Sequence, residues 1–215
     1  MGCNYLNKTI VSRIFCVLGA CWLGLAQSSL AEEAGNPSAG AEKAAACVAC
    51  HGNTGTTTIP DYPHISGQNA KYLETQMRLM RDGERNVPLM AGQLDAMTDQ
   101  DLKDIAAHYA SQAGEIGQAS TEGLRLGERI YRGGILNKQV AACTACHAPN
   151  GNGNSAAGFP RISGQPVSYT VAQLKAYREE QRTSDEYVGG MMRDVAARMT
   201  DTEIEAVANY IQGLY

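Results

Sequence analysis

Two segments of the chain carry the same five-residue pattern of thiol and imidazole side chains. Residues 47–51 read CVACH and residues 143–147 read CTACH. In a C-x-x-C-H pattern the two thiols can add to the vinyl groups of a haem, and the adjacent histidine can bind the iron from the same side. The pattern therefore predicts two covalently attached haem c groups. The predicted thioether residues are Cys47, Cys50, Cys143 and Cys146, and the predicted iron ligands are His51 and His147.

Two other uses of these cysteine pairs are open. Four thiolates could bind one zinc ion tetrahedrally, or each pair could form a C-x-x-C redox disulfide. A shared zinc ion would not explain a histidine at the same place in both motifs. A redox pair is expected once, at a turn between a strand and a helix. The repeated pattern therefore favours haem attachment over both alternatives.

The N-terminal region is typical of a secretion signal. It carries two basic residues and no acidic residue ahead of an apolar run over residues 14–26. Residues 29–31 read SLA, which fits a small-x-small cleavage site, and the apolar run is short for a bilayer span of about 20 residues. We predict that residues 1–31 are removed and that the rest is exported to the periplasm. A lipid on Cys21 or a retained anchor is the alternative, and either would hold the exported part in peripheral association with a membrane.

An internal duplication organises the remaining sequence. Besides the two motifs, YPHISGQ at 62–68 recurs as FPRISGQ at 159–165, and MTD at 97–99 recurs at 199–201. The offset between copies grows only from 96 residues at the cysteines to 102 at the MTD segments. The order is kept and the drift is small, so the chain contains two copies of one unit, which we call the first and the second repeat.

Each repeat is predicted to be helical. Residues 70–81 and 167–182 are long and amphipathic, as expected for helices on a core. Thr98 and Thr200 are each followed three residues later by an acid, which indicates the N-terminal capping box of a closing helix. No segment alternates well enough to predict a strand.

These patterns predict an all-α chain of two tandem domains, each wrapped around one covalent haem. The first domain is expected over residues 32–112, the linker over 113–121 and the second domain over 122–215. The linker is rich in Gly, Ser and Gln. Each unit is short of apolar core for its size, and a large apolar cofactor would complete that core.

The duplication also selects a second iron ligand from several methionines. Met90 lies nine residues before Asp99, and Met192 lies nine before Asp201. The other matched pair precedes the capping threonines, where an apolar residue packs on the following helix as a hydrophobic staple. We therefore predict Met90 and Met192 as axial ligands, with a role as flexible core fillers as the alternative.

Further expectations concern the surroundings of the two sites. A ligating histidine usually donates its second ring N–H to a fixed acceptor, and the carbonyls of Pro63 and Pro160 are the candidates. His64, whose counterpart is Arg161, is expected to face the surface. His108 is expected to be a surface or packing residue. Four helix residues are candidates for bonding haem propionates or are ordinary polar positions: Tyr72, Gln76, Tyr169 and Gln173.

With these residues in view, the chain resembles the cytochrome c4 family over nearly all of its exported part. The resemblance rests on the two C-x-A-C-H motifs, the P-x-I-S-G-Q segments, CHAPNG at 146–151 and YIQGL at 210–214. It implies two class I cytochrome c domains, with His51 and Met90 on one iron and His147 and Met192 on the other. It also implies propionates near the domain interface. His64 and His108 depart from the family, which often has lysine and tyrosine there.

The resemblance implies a non-catalytic carrier that takes electrons from a quinol-oxidising complex to terminal oxidases or reductases. A dihaem enzyme, such as a peroxidase or a thiosulfate-oxidising protein, is the alternative, and so is a fixed subunit of a larger enzyme. Residues 32–118 carry a net charge of −6 and residues 119–215 a net charge of zero. Such a dipole can steer a charged redox partner or serve ordinary solubility. Nothing in the charge pattern indicates nucleic-acid binding.

Overall fold

The computed structural model describes residues 34–215. The predicted signal at residues 1–31, with its cleavage after Ala31, lies outside the described residues. Within the described part, no helix is both long enough and apolar enough to cross a membrane.

The first repeat consists of helices and helical turns. Its helices are α1 (Pro37–Lys43), α2 (Val48–His51), α3 (Ala70–Arg81) and α4 (Asp99–Ala110), and its 3-10 turns are Ala44–Cys47 and Pro88–Met90. Its core contains Leu73, Met77, Leu94, Leu102, Ile105 and Tyr109. The helix predicted over residues 70–81 is confirmed.

The second repeat follows a similar order of elements, with one additional short helix before its closing helix. Its helices are α5 (Leu124–Gly133), α6 (Thr144–His147), α7 (Val167–Arg178), α8 (Met191–Ala196) and α9 (Asp201–Gln212), and its 3-10 turns are Leu136–Lys138 and Glu186–Val188. Its core contains Ile130, Tyr131, Val140, Met199, Ile204, Val207, Ile211 and Leu214. Between residues 34 and 215 the only β-type pairings are two isolated bridges, so the all-α prediction is confirmed for this part.

Both closing helices begin as predicted. The Thr98 side chain accepts from the Asp101 backbone N–H, and the Asp101 carboxylate accepts from the Thr98 N–H; Thr200 and Glu203 repeat the arrangement. Each capping box satisfies two backbone donors that would otherwise lack partners at the helix start. It therefore fixes the point at which each repeat closes over its core.

Helix α7 ends four residues earlier than the predicted helix over residues 167–182. Glu180 adopts a left-handed backbone with a φ of 57°. The backbone N–H groups of Gln181 and Arg182 then both donate to the Ala176 carbonyl. This turn directs Arg182 into the interior instead of extending the helix. In the first repeat, Gly83 takes the corresponding left-handed position after α3.

Glycines allow the first and last helices of each repeat to cross closely. A Cβ atom on Gly40 would lie 2.0 Å from the Asp104 carbonyl oxygen of α4, and one on Gly127 would lie 2.1 Å from the Ala206 carbonyl oxygen of α9. The obstructing atoms are backbone atoms of a packed helix, so a side chain could enter only if the helices separated. These crossings hold the two ends of each repeat together.

We expect Gly127→Ala to lower the free energy of unfolding by about 1–3 kcal/mol, because overpacking a close contact costs that much. Gly133→Ala is the matched control. Gly133 also lies in α5, but an added Cβ would meet nothing within 4 Å, so its effect should stay within about 1 kcal/mol and favour the helix. Denaturant unfolding of both variants is the measurement. Equal destabilisation by the two substitutions would contradict the close-crossing explanation.

Candidate cofactor site

The two C-x-x-C-H motifs occupy equivalent short helices. Cys47 immediately precedes α2 and Cys143 immediately precedes α6, so one helical turn carries each motif from its first thiol to its histidine. His51 and His147 are buried, with 9% and 7% of their surfaces exposed. All of the motif cysteines and histidines line the same cavity. The local fold therefore gathers two thiols and one imidazole in each repeat.

A proline carbonyl orients each motif histidine. The Nδ1 atom of His51 lies 3.2 Å from the Pro63 oxygen, and that of His147 lies 3.0 Å from the Pro160 oxygen. A carbonyl oxygen can only accept, so Nδ1 carries the proton and Nε2 keeps its lone pair. Burial lowers the pKa of both imidazoles, which favours the neutral form that binds a metal. The prediction of Pro63 and Pro160 as the acceptors is confirmed.

The cavity between the repeats has a volume of about 1070 Å³ and is bounded by both of them. Apolar side chains make up much of its wall, including Leu73, Ile105, Leu174, Val195, Val207 and Ile211. A large flat macrocycle needs an apolar enclosure of this kind. The chemistry of the wall, with thiols and imidazoles at two places in an apolar surround, therefore fits haem groups.

The predicted methionines also line the cavity. Met90 ends the 3-10 turn Pro88–Met90, Met192 lies in the first turn of α8, and both side chains are half-buried. The wall also contains the five other methionines of the described chain, Met77, Met80, Met97, Met191 and Met199. Met199 is 4% exposed, in the same cluster as Ile204, as expected for a hydrophobic staple. The selection of Met90 and Met192 still rests on repeat register.

A pair of arginines was missed by the sequence predictions. Arg85 and Arg182 lie at equivalent positions, 97 residues apart, and both line the cavity. The guanidinium of Arg182 donates to the Tyr72 hydroxyl at 3.0 Å and to the side-chain oxygen of Gln76 at 3.1 Å, across the repeats. Arg85 donates to Gln76 at 2.8 Å. The repeat offset, which matches these two positions, was the signal that could have identified them.

The charge of this arginine pair is a further test of whether the cavity wall fits haem. Arg182 is 7% exposed, and among residues 34–215 neither arginine forms an ion pair with a carboxylate. A buried cation without a counter-charge is costly, whereas a haem brings two propionate carboxylates. All four predicted propionate candidates line the cavity: Tyr72, Gln76, Tyr169 and Gln173. The wall therefore suits the anionic edge of haem as well as its apolar face.

The two remaining histidines are placed differently. His64 is not directed to the surface as expected: it is half-buried at the contact between the repeats, where its Nδ1 accepts from the Thr57 N–H at 3.2 Å. Its counterpart Arg161 is also half-buried there and donates to the Glu115 carbonyl at 2.7 Å. His108 packs edge-on against Tyr109, as a packing residue does.

The alternative uses of the cysteines find little support in this geometry. Within residues 34–215, no group of three or more His, Cys, Asp or Glu side chains is close enough to share a metal ion. Both pairs lie beside short helices, not after a strand. Burial raises the pKa of the Cys143 thiol to about 11 and also raises that of Cys47. Redox-active C-x-x-C thiols have lowered pKa values.

Known proteins match both repeats. The family described as cytochrome c matches residues 133–215, and the family described as subunit III of cbb3-type cytochrome c oxidase matches residues 36–108. Cytochrome c4 from Stutzerimonas stutzeri is 42% identical over 219 residues, which cover 98% of this chain and 100% of that protein. The "thiosulfate dehydrogenase electron acceptor" of Thiomonas intermedia (strain K12) is 34% identical over 177 residues, covering 79% of this chain and 78% of the relative.

A solved structure agrees with the sequence relatives. The crystal structure of reduced recombinant cytochrome c4 from Pseudomonas stutzeri superposes with a TM-score of 0.82 at 44% identity, covering 85% of this chain and 100% of that one. The prediction of two covalently bound haem c groups is confirmed by this relationship. The chain therefore belongs to the cytochrome c4 family of electron-transfer proteins and consists of two tandem class I cytochrome c domains.

Proposed function

We propose that this protein carries electrons in the periplasm, using His51 and Met90 as the iron ligands of its first haem and His147 and Met192 as those of its second. The proposed covalent attachment points are Cys47, Cys50, Cys143 and Cys146. The iron of haem c accepts or releases one electron as it changes between the ferric and ferrous states. The proposed domains are residues 32–112 and 122–215, joined by residues 113–121 and preceded by a removed signal at 1–31.

The single observation that supports this proposal most strongly is the matched surroundings of the two motif histidines. In each repeat the imidazole is buried, and its Nδ1–H is held by a proline carbonyl. This arrangement leaves Nε2 available to a metal in the same way twice. Two equivalent electron-transfer sites follow more readily from it than one electron-transfer site and one catalytic site.

Methionine ligation in both repeats favours a carrier over an enzyme. A thioether ligand raises the reduction potential relative to a second histidine, and it occupies the position at which a peroxide would otherwise bind. A peroxidase needs one exchangeable position. A thiosulfate-oxidising haem is expected to use a cysteine ligand, and all four described cysteines belong to the two attachment motifs. We therefore propose no catalytic residue.

The proposed route runs from a quinol-oxidising complex to a terminal oxidase or reductase. The uneven charge of the two halves supports transient, electrostatically steered docking, because a dipole raises encounter rates with a charged partner. A second candidate is a dedicated acceptor for one dehydrogenase. The Thiomonas relative, named as the electron acceptor of a thiosulfate dehydrogenase, favours it. Electron exchange with several purified partners would support the general route, whereas exchange with only one partner would support the dedicated acceptor.

The test of the carrier function is a reductive titration of the purified protein, followed by its reaction with peroxide. We expect two electrons per chain, two equivalents of the far-red methionine–iron absorption band in the oxidised state, and no peroxide turnover. A high-spin haem, or only one equivalent of the band, would contradict the assignment of two carrier sites.

A further inference from the structure

Two buried glutamine side chains join the repeats through reciprocal hydrogen bonds. The Gln68 side chain donates from Nε2 to the Arg161 carbonyl at 2.7 Å, and its Oε1 accepts from the Arg161 backbone N–H at 2.7 Å. Gln165 does the same with the backbone of His64, donating at 2.7 Å and accepting at 3.1 Å. The two glutamines are 5% and 7% exposed. A glutamine of each repeat is therefore hydrogen-bonded to one backbone segment of the other repeat.

The backbone segment bound by each glutamine is the one that orients the motif histidine. The Pro160 carbonyl and the Arg161 N–H belong to one planar peptide group. On one side its oxygen accepts from His147 Nδ1, and on the other its N–H donates to Gln68. The peptide between Pro63 and His64 connects His51 to Gln165 in the same way. An unbroken hydrogen-bonded path therefore runs from each motif histidine to a glutamine of the opposite repeat.

Hydrogen bonds in such a path strengthen one another. When the glutamine oxygen accepts from the peptide N–H, the peptide is polarised and its carbonyl oxygen becomes a better acceptor. A better acceptor at Nδ1 makes the imidazole a stronger donor at Nε2. A more strongly donating ligand stabilises ferric over ferrous iron and lowers the reduction potential.

We propose that Gln68 and Gln165 are positioning residues that tune the haem of the opposite repeat: Gln68 acts through Pro160 on His147, and Gln165 acts through Pro63 on His51. This inference rests on the proposed histidine ligation. It makes each potential depend on the contact between the repeats, because either path is broken when the repeats separate. A partner that loosens this contact on docking would raise both potentials.

The distinguishing consequence is a crossed pattern of effects. Gln68→Met keeps the side-chain length but can neither accept nor donate as the amide does. We expect it to shift the one-electron equilibrium of the second-repeat haem at least twofold toward the ferrous state, about 18 mV, with little change in the first. Gln165→Met should shift the first-repeat haem in the same direction and leave the second-repeat haem nearly unchanged. The His147 Nδ1–H proton resonance should move upfield in Gln68→Met, while that of His51 stays in place.

Two controls remove contacts between the repeats without touching these peptides. Asn69 donates to the Phe159 carbonyl at 2.6 Å, and Ser168 donates to the Pro60 carbonyl at 2.5 Å. Asn69→Ala and Ser168→Ala should weaken the contact but leave the difference between the two potentials unchanged. If these variants change the difference between the two potentials as much as the glutamine variants do, the glutamines are only structural clamps.

The measurement is an NMR-monitored redox titration of the intact dihaem protein. Each haem is followed by the methyl signal of its own axial methionine, assigned with Met90→Ala and Met192→Ala. If both methionine methyl signals are present but the glutamine variants leave both potentials unchanged, the tuning inference is overturned and the ligand assignment stands. Absence of those signals in the unsubstituted protein would overturn the ligand assignment itself. Should one glutamine variant fail to fold, the other tests the crossed pattern from the opposite side.

Discussion

Met192→Ala is expected to remove one of the two equivalents of the far-red methionine–iron band and to leave that haem high-spin. Met90→Ala should remove the other equivalent. The reason is that alanine offers no lone pair to the iron, and repeat register assigns no other methionine to either site. Absorption spectra of the oxidised proteins, normalised to haem content, measure the loss. Each variant should retain one half of the band.

Met199→Ala provides the matched control, because Met199 also lines the cavity but is assigned to the core. It is 4% exposed, so its truncation should lower the free energy of unfolding by about 2–5 kcal/mol and leave both equivalents of the band. Met97→Ala should likewise retain both, with a smaller loss of stability because Met97 is only half-buried. A halved band in Met97→Ala or Met199→Ala would show that the register assignment was wrong.

The second large effect is expected from Arg182→Met. The guanidinium of Arg182 donates to groups from both repeats, including Tyr72 and Gln173, and its proposed counter-charges are propionates. Removing it leaves a carboxylate buried without its cation, which costs about 3–5 kcal/mol. Loss of a positive charge near the haems also favours the ferric state. Both reduction potentials should therefore fall, and the unfolding temperature should drop.

Arg178→Met is the control for this substitution. Arg178 lies one turn earlier, at the end of α7, and pairs with Asp201 at 2.6 Å on the surface. An exposed ion pair contributes little to stability, so the unfolding temperature should change far less and the two potentials should stay in place. Spectroelectrochemistry and thermal unfolding of both variants decide the matter. Unchanged potentials in Arg182→Met would contradict the proposed propionate contact.

The features that could be predicted from the sequence are those with a local chemical signature. The capping threonines at 98 and 200 can be recognised by the acidic residue three positions later, and both capping boxes form. The carbonyls of Pro63 and Pro160 follow from the need of a ligating histidine for a fixed acceptor, and both contacts are present. In these cases the partner is close in sequence or dictated by the chemistry.

The features that could not be predicted depend on how the repeats meet. Gln68 has its partner 93 residues away, and an amide that bridges two repeats has no distinguishing local pattern. Arg182 was assigned to the end of a helix because helical periodicity does not reveal a left-handed turn at a glutamate, as occurs at Glu180. His64 was expected at the surface because its burial comes from the opposite repeat, which local sequence does not reveal.

The cavity bounded by both repeats has a consequence for how the two haems titrate. Reducing one iron changes the charge inside a region of low polarity, where Coulomb interactions are weakly screened. The second electron therefore enters a site whose potential has been lowered by the first. By analogy with coupled proton titrations, the two potentials observed at equilibrium belong to the pair of haems, and neither should be assigned to one repeat without a probe that distinguishes them.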